Sequence, residues 1–228
     1  MVKEVGAALP TVCVCAKVVA MATLYKLLTV MNADISYSFQ MIVVIISIAS
    51  MTVGNIMALR QANVKRMLAF SGISHAGFML MTLLSLSSSA GNLFYYATAY
   101  SLDGIAAFSV ILYVCKNRDN EDIVNFHGLA KTNPLLAAIL TASLLSMAGI
   151  PVFAGFFAKL VLFTQTIQEG YLVVVIAAVI NSIISVGYYF KLILAMYTKE
   201  SNEARTGKPF LIYAVAVTAI VLNLIVGL

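Results

Sequence analysis

Charge is scarce in this chain. Asp, Glu, Lys and Arg make up 10% of its 228 residues, where a soluble domain carries about 25%. Hydrophobic residues make up 62%, and mean hydropathy is +0.99. A chain so poor in charge is not bathed in water on all sides; lipid must solvate much of its surface. No polar stretch is long enough to hold a soluble domain. Cysteine is scarce too. Cys13, Cys15 and Cys115 lie in or at the ends of apolar runs. Cys13 and Cys15 are two apart and fall on different helix faces, so no metal-ligand spacing results. They read as small apolar helix residues. A Gly-rich phosphate cradle, a metal-ligand cluster and a nucleophile beside a base are also missing, which argues against soluble catalysis. The start, MVKEVGAALP, lacks the short apolar core and small-residue cleavage site of a secretory signal, so none is expected.

What is present is a series of apolar runs. A spanning helix needs roughly 20 mostly apolar residues. Seven stretches qualify: 8–31, 39–59, 67–86, 92–115, 134–168, 171–197 and 210–228. The longest gap, KNRDNEDIVNFHGLAKTN, is mixed in charge and is expected along the surface, partly as a short amphipathic segment. Net charge is +5, but the basic residues sit between apolar runs and speak to topology, not to nucleic acid. Arg60, Lys65 and Arg66 fall in the second gap, Lys116, Arg118 and Lys131 in the fourth, and Lys199, Arg205 and Lys208 in the sixth. The odd-numbered gaps hold no Lys or Arg, only Asp34 and Glu169. The positive-inside rule then puts the N-terminus and the even gaps in the cytoplasm. This requires 134–168 to cross only once.

That fifth stretch reads PLLAAILTASLLSMAGIPVFAGFFAKLVLFTQTIQ, with Gly149, Pro151 and Gly155 in its middle. Pro151 removes a backbone donor and clashes with the preceding turn. Broken backbone at membrane depth is tolerated only where protein or a watery cavity satisfies it, and transporters build ion sites from such discontinuous helices. A simple proline kink is the plainer alternative.

Four ionisable residues fall well inside apolar runs: Lys17, His75, Asp103 and Lys159. A Lys or Asp at a helix centre costs roughly 2.5–3.5 kcal/mol on insertion scales, so such groups face a bundle interior, a partner or water. Lys159 follows Gly155 by one turn, and Lys17 is too deep to reach the headgroups. His75 has Ser71 and Ser74 on its own helix and also fits a hydrogen-bonded core histidine. Asp103 fits a counter-charge for a lysine. Lys26 and Lys191 lie within two turns of helix ends and can snorkel; they receive no role. His127 falls in a loop, outside any motif. In general a buried amine favours its neutral form, while a nearby carboxylate favours the charged one. A row of such groups with water between them is a proton relay.

Several runs resemble the antiporter-like membrane subunits of respiratory complex I. NVKRMLAFSGISHAGFM (63–79) is similar to a stretch these subunits share, of the form N-x-K-R-x-L-A-Y-S-S-I-x-H-x-G. PLLAAILTASLLSMAGIPVFAGFFAKLVLF (134–163) resembles their broken helix, with its lysine in register. NSIISVGYYFKLILAMY (181–197) and CAKVVAMATLYKLL (15–28) resemble two further family segments. The resemblance implies an all-α integral membrane fold of about seven transmembrane helices, one of them discontinuous, in a single transmembrane domain over 1–228. That would be the second repeat and flanking helices of a fourteen-helix pattern, so this sequence is expected to be the C-terminal half. The resemblance also implies that Lys159 exchanges protons with the outer half-channel, that Lys17 is the central lysine joining the two halves, and that His75 is a polar group between them. Asp103 departs from the family's usual small or amide residue and is expected to be a counter-charge or an added relay point.

The implied function is proton conduction coupled to electron transfer from NADH to quinone. No redox site or cofactor is expected in this chain; NADH, FMN, iron–sulfur clusters and quinone would belong to partner subunits. The implied partners are the other membrane and peripheral subunits of complex I, neighbouring antiporter-like subunits and the lipid bilayer, with no nucleic acid. The implied location is the bacterial inner membrane. A multi-subunit sodium–proton antiporter subunit is the alternative, and a scaffold role for a half-length chain is a third.

Overall fold

A computed structural model describes residues 2–30, 37–86, 89–116, 120–198 and 210–227. All the regular elements among them are helical: α1 (Val2–Val30), α2 (Tyr37–Leu59), α3 (Val64–Leu80), α4 (Ala90–Cys115), α5 (Leu129–Thr132), α6 (Pro134–Ala148), α7 (Ala154–Gln168), α8 (Leu172–Thr198) and α9 (Phe210–Gly227). Short 3₁₀ turns at Met81–Leu84 and Ile123–Phe126 extend α3 and precede α5. The α2, α4 and α8 helices, and α3 with its 3₁₀ extension, are each long and apolar enough to cross a membrane. The α6 and α7 helices, 15 residues each, are about 22 Å long apiece at 1.5 Å per residue. Neither half spans the bilayer with margin; end to end they do.

Local chemistry fixes several helix ends. Asn63 caps α3, its side chain accepting from the Arg66 amide at 3.1 Å, which satisfies one orphan donor. Pro134 opens α6, where its missing N–H costs nothing. Gly149 closes α6 at φ +87°. Its amide reaches Ser146 O at 2.9 Å, and the Ile150 amide reaches Leu145 O at 3.0 Å. This is a Schellman ending, for which glycine is suited.

The α4 helix is the hub and packs against α1, α3, α6, α7 and α9. The α2 and α3 helices form the tightest pair. Gly54 and Gly77 allow that approach: a methyl group on either would fall within 3 Å of the facing helix's backbone. The α2 and α8 helices are joined by buried amides. Asn55 donates to Asn181 Oδ1 at 3.1 Å, and Tyr188 donates to Asn55 Oδ1 at 3.0 Å. Interhelical bonds of this kind hold apolar helices together where lipid gives no hydrophobic drive.

Contacts sort the gaps into two ends. At one end the second and fourth gaps pair main chain to main chain: Ile123 N–H donates to Ala62 O and Val64 N–H to Glu121 O, at 2.9 and 2.8 Å. Lys65 there meets Glu121 at 2.7 Å. That hydrogen bond holds the Glu121 carboxyl below the usual carboxylate range. Tyr213, near the start of α9, donates to Asn133 Oδ1 at the same end. At the other end Ser85 donates to Glu169, and Tyr25 to Leu86 O, both at 2.6 Å. The gaps therefore alternate as their charges imply, and α6 and α7 cross once between them. Asp34, Arg118, Lys199, Arg205 and Lys208 lie outside the described residues. The long fourth gap is more than a surface strap. Ile123, Phe126 and Leu129 recur every three residues, and all three are buried.

Candidate functional site

The break between α6 and α7 leaves backbone groups that need partners. The last four carbonyls of a helix and its first amides have none of their own. Here nearly every one is answered. Gly149 and Ile150 take the carbonyls of Leu145 and Ser146. The Lys159 side chain folds back and donates to Met147 O at 2.9 Å and Ala148 O at 3.0 Å. On the α7 side, the Ala154 amide meets Asn223 Oδ1 at 3.4 Å, and the Gly155 amide meets Ser146 Oγ at 3.3 Å. Phe156 N–H returns to Phe153 O at 3.1 Å. The break is thus a discontinuous helix and not a proline kink. Val152, inside it, sits at φ +106°, a conformation that β-branched residues avoid.

Lys159 is 5% exposed. Its ammonium nitrogen also lies 5.1 Å from the Phe78 ring centre, within cation–π range. Asp103, from the middle of α4, is 1% exposed and accepts from Asn223 Nδ2 at 3.0 Å. Asp103 and Lys159 form no ion pair within 4 Å. Both line one cavity, with His75, Tyr96, Tyr100 and Ser146. Its volume is about 10 Å³, the scale of a single water molecule.

His75 is 5% exposed and meets hydroxyls on both ring nitrogens: Tyr96 at 2.9 Å on Nδ1 and Tyr189 at 3.3 Å on Nε2. Tyr189 in turn bonds Ser71 at 2.5 Å. Of the two serines on its own helix, Ser71 therefore reaches His75 through a tyrosine of α8. Its ring stacks on Tyr100 at 4.6 Å between centres. Tyr100 leads on to Lys17. A methyl group built on Gly72 would collide with both the Lys17 ammonium and the Tyr100 hydroxyl, so both groups lie against that glycine. Lys17, half-buried on α1, and Lys159 both lie within electrostatic reach of His75.

The structure thus brings Lys17, His75, Asp103 and Lys159 into one polar seam, with Gly149, Pro151 and Gly155 shaping its end. Sequence reasoning did not single out Tyr96, Tyr100, Tyr189 or Asn223. Asn223 carries the one available signal: it is an amide alone in the apolar run AVAVTAIVLNLIVGL. Among the described residues no group of three His, Cys, Asp or Glu side chains is placed to hold a metal ion.

Fold and site together define a multi-pass membrane bundle with ionisable groups gathered at a helix break. The chain belongs to the NADH:quinone oxidoreductase/Mrp antiporter transmembrane family, whose pattern it matches over residues 2–185. The NADH-quinone oxidoreductase subunit N of Flavobacterium johnsoniae is 72% identical over 220 residues, which cover 93% of this chain and 48% of that protein. Subunit N of Cytophaga hutchinsonii is 42% identical, over 85% of this chain and 43% of that protein. A chain of respiratory complex I from Thermus thermophilus superposes with a TM-score of 0.73 at 33% identity, covering 81% of this chain and 42% of its own. A chain of the Mrp complex from Dietzia superposes at 0.82 with 22% identity, over 92% of this chain and 48% of its own; at that identity the likeness concerns the fold. The family resemblance read from the motifs is borne out. The chain spans about half the length of the curated relatives it matches.

Proposed function

We propose that this chain is a proton-conducting membrane part of an NADH–quinone oxidoreductase, carrying protons along the seam from Lys17 through His75 to Lys159. The observation that carries the reading is Lys159 bridging the two carbonyls at the end of α6. An ammonium has three N–H donors. Loss of one proton leaves two, enough to keep both carbonyl bonds. Lys159 can therefore gain and lose a proton without releasing the broken helix. Asp103 and a water in the shared cavity supply the next acceptor, with Asp103 as the added relay point. His75, bonded on both sides to hydroxyls, passes a proton from one nitrogen to the other by changing tautomer. Tyr100 and Tyr96 link it to Lys17 and toward Asp103.

In this reading the chain is one transmembrane domain of a translocase of the bacterial inner membrane, with its N-terminus in the cytoplasm. Electron transfer, with NADH, FMN, iron–sulfur clusters and quinone, belongs to partner subunits, among them neighbouring antiporter-like ones. Relatives at 72% and 42% identity support this partner set over a sodium–proton antiporter. The test is Lys159→Ala in the intact complex, reading protons moved per electron. The proposal expects that ratio to fall while NADH-to-acceptor electron transfer by the peripheral subunits persists. A wild-type ratio overturns it.

A further inference from the structure

Asn223 lies on α9, the last helix, and is fully buried. Its carboxamide makes polar contacts to three other helices around the break. Its Oδ1 accepts from the Ala154 amide at 3.4 Å and lies 3.4 Å from the Ser146 hydroxyl. Its Nδ2 lies 3.3 Å from that same hydroxyl and donates to Asp103 Oδ1 at 3.0 Å. One carboxamide thus touches α4, α6 and α7 at once. A buried carboxylate is oriented by whichever donors it has. At Asp103 the donor supplied by α9 is Asn223.

We propose that Asn223 is a positioning residue for the relay: its carboxamide fixes the Asp103 carboxyl against the Lys159 cavity and makes α9 a working part of the site. This rests on the reading of Lys159 as a proton carrier. The acceptor half of the amide holds the start of α7, and the donor half holds Asp103. Any movement of α9 relative to α4 therefore changes both the helix break and the carboxyl at one stroke. The ionisable groups lining the cavity with Asp103 are Lys159 from α7, His75 from α3, and Tyr96 and Tyr100 from α4 itself; Lys17 from α1 lies beyond Tyr100, against Gly72. At this depth α6 and α9 contribute only the neutral Ser146 and Asn223.

Asn223→Asp keeps the acceptor toward the Ala154 amide but replaces the neutral donor with a second carboxyl about 3.0 Å from Asp103. Two buried carboxyls this close share one proton, so Asp103 no longer faces a fixed neutral donor. In the intact complex this variant should assemble at the wild-type level and displace the pH profile of proton translocation by about one unit or more, as two carboxyls sharing one buried site do. The swap D103N/N223D restores one carboxyl–amide pair. Its profile should lie closer to wild type than that of either single variant. A wild-type profile in Asn223→Asp overturns the proposal, as does a swap whose displacement is the sum of the two single ones. Should Asn223→Asp not assemble, the swap alone decides: assembly with a near-wild-type profile supports the role, and failure to assemble overturns it. A Lys159→Ala complex that pumps normally removes the relay reading itself. An unchanged Asn223→Asp profile beside a non-pumping Lys159→Ala removes only the role of Asn223.

Discussion

Lys159 has two tasks that pull on the same nitrogen. It closes the end of α6 by donating to Met147 and Ala148, and in the proposed relay it exchanges a proton. Burial would make a charged amine costly, yet two carbonyls and the Phe78 face surround it. The residue therefore tolerates either state. Val152 shows the opposite situation, a side chain in a backbone conformation that suits glycine. Val152→Gly is expected to stabilise the protein by about 1 kcal/mol, the low end of the cost of such a conformation. A thermal transition of the purified complex that does not rise contradicts this. At this scale the sequence was informative where chemistry was anomalous. Lys17, His75, Asp103 and Lys159 stand out because ionisable groups are expensive in apolar runs. Tyr96, Tyr100 and Tyr189 do not stand out, because tyrosine is at home in a membrane helix and only packing reveals which hydroxyl meets which ring.

Among the elements, the pair α6–α7 depends on close approach. A methyl group on Gly155 would strike the Ser146 carbonyl, which is backbone and cannot swing aside. Gly155→Ala is expected to push the start of α7 off the end of α6 and to lower the amount of assembled complex severalfold. Gly91→Ala, where a methyl group meets open space, is the control. Equal yields from the two variants, measured by native electrophoresis of solubilised membranes, contradict the packing argument. The break was legible from Gly149, Pro151 and Gly155, since glycine and proline act on the chain locally. The role of α9 was not. Its sequence reads as an ordinary span, and nothing local says that Asn223 will face a break some 70 residues earlier in the chain. The fourth gap was half legible: Ile123, Phe126 and Leu129 mark an apolar side, but main-chain pairing with 62–64 leaves no trace in composition.

For the whole molecule, the alternation of charged gaps is a statement about two faces. Main-chain pairing at one face and the Ser85–Glu169 contact at the other make the two ends distinct. The proposed orientation, with the Lys- and Arg-bearing end in the cytoplasm, rests on the positive-inside rule. Asn120 and Gln168, both exposed and at opposite ends, allow a check. With the natural cysteines removed, Asn120→Cys is expected to react with a membrane-impermeant maleimide in inverted vesicles only, and Gln168→Cys in intact spheroplasts only. The reverse pattern contradicts the orientation. The outward faces of α2 and α8 carry exposed Ile45, Val53, Val173 and Ile183, as a surface solvated by lipid or by neighbouring subunits requires.

The central claim is that the Lys159 proton moves. Lys159→Arg in the intact complex tests it most directly. Arginine keeps the charge and the donors toward Met147 O and Ala148 O, but it does not release a proton. The account predicts an assembled complex that oxidises NADH at its peripheral site and moves fewer protons per electron than wild type. A Lys159→Arg complex with the wild-type ratio would show that Lys159 only holds the broken helix together, and would contradict the account.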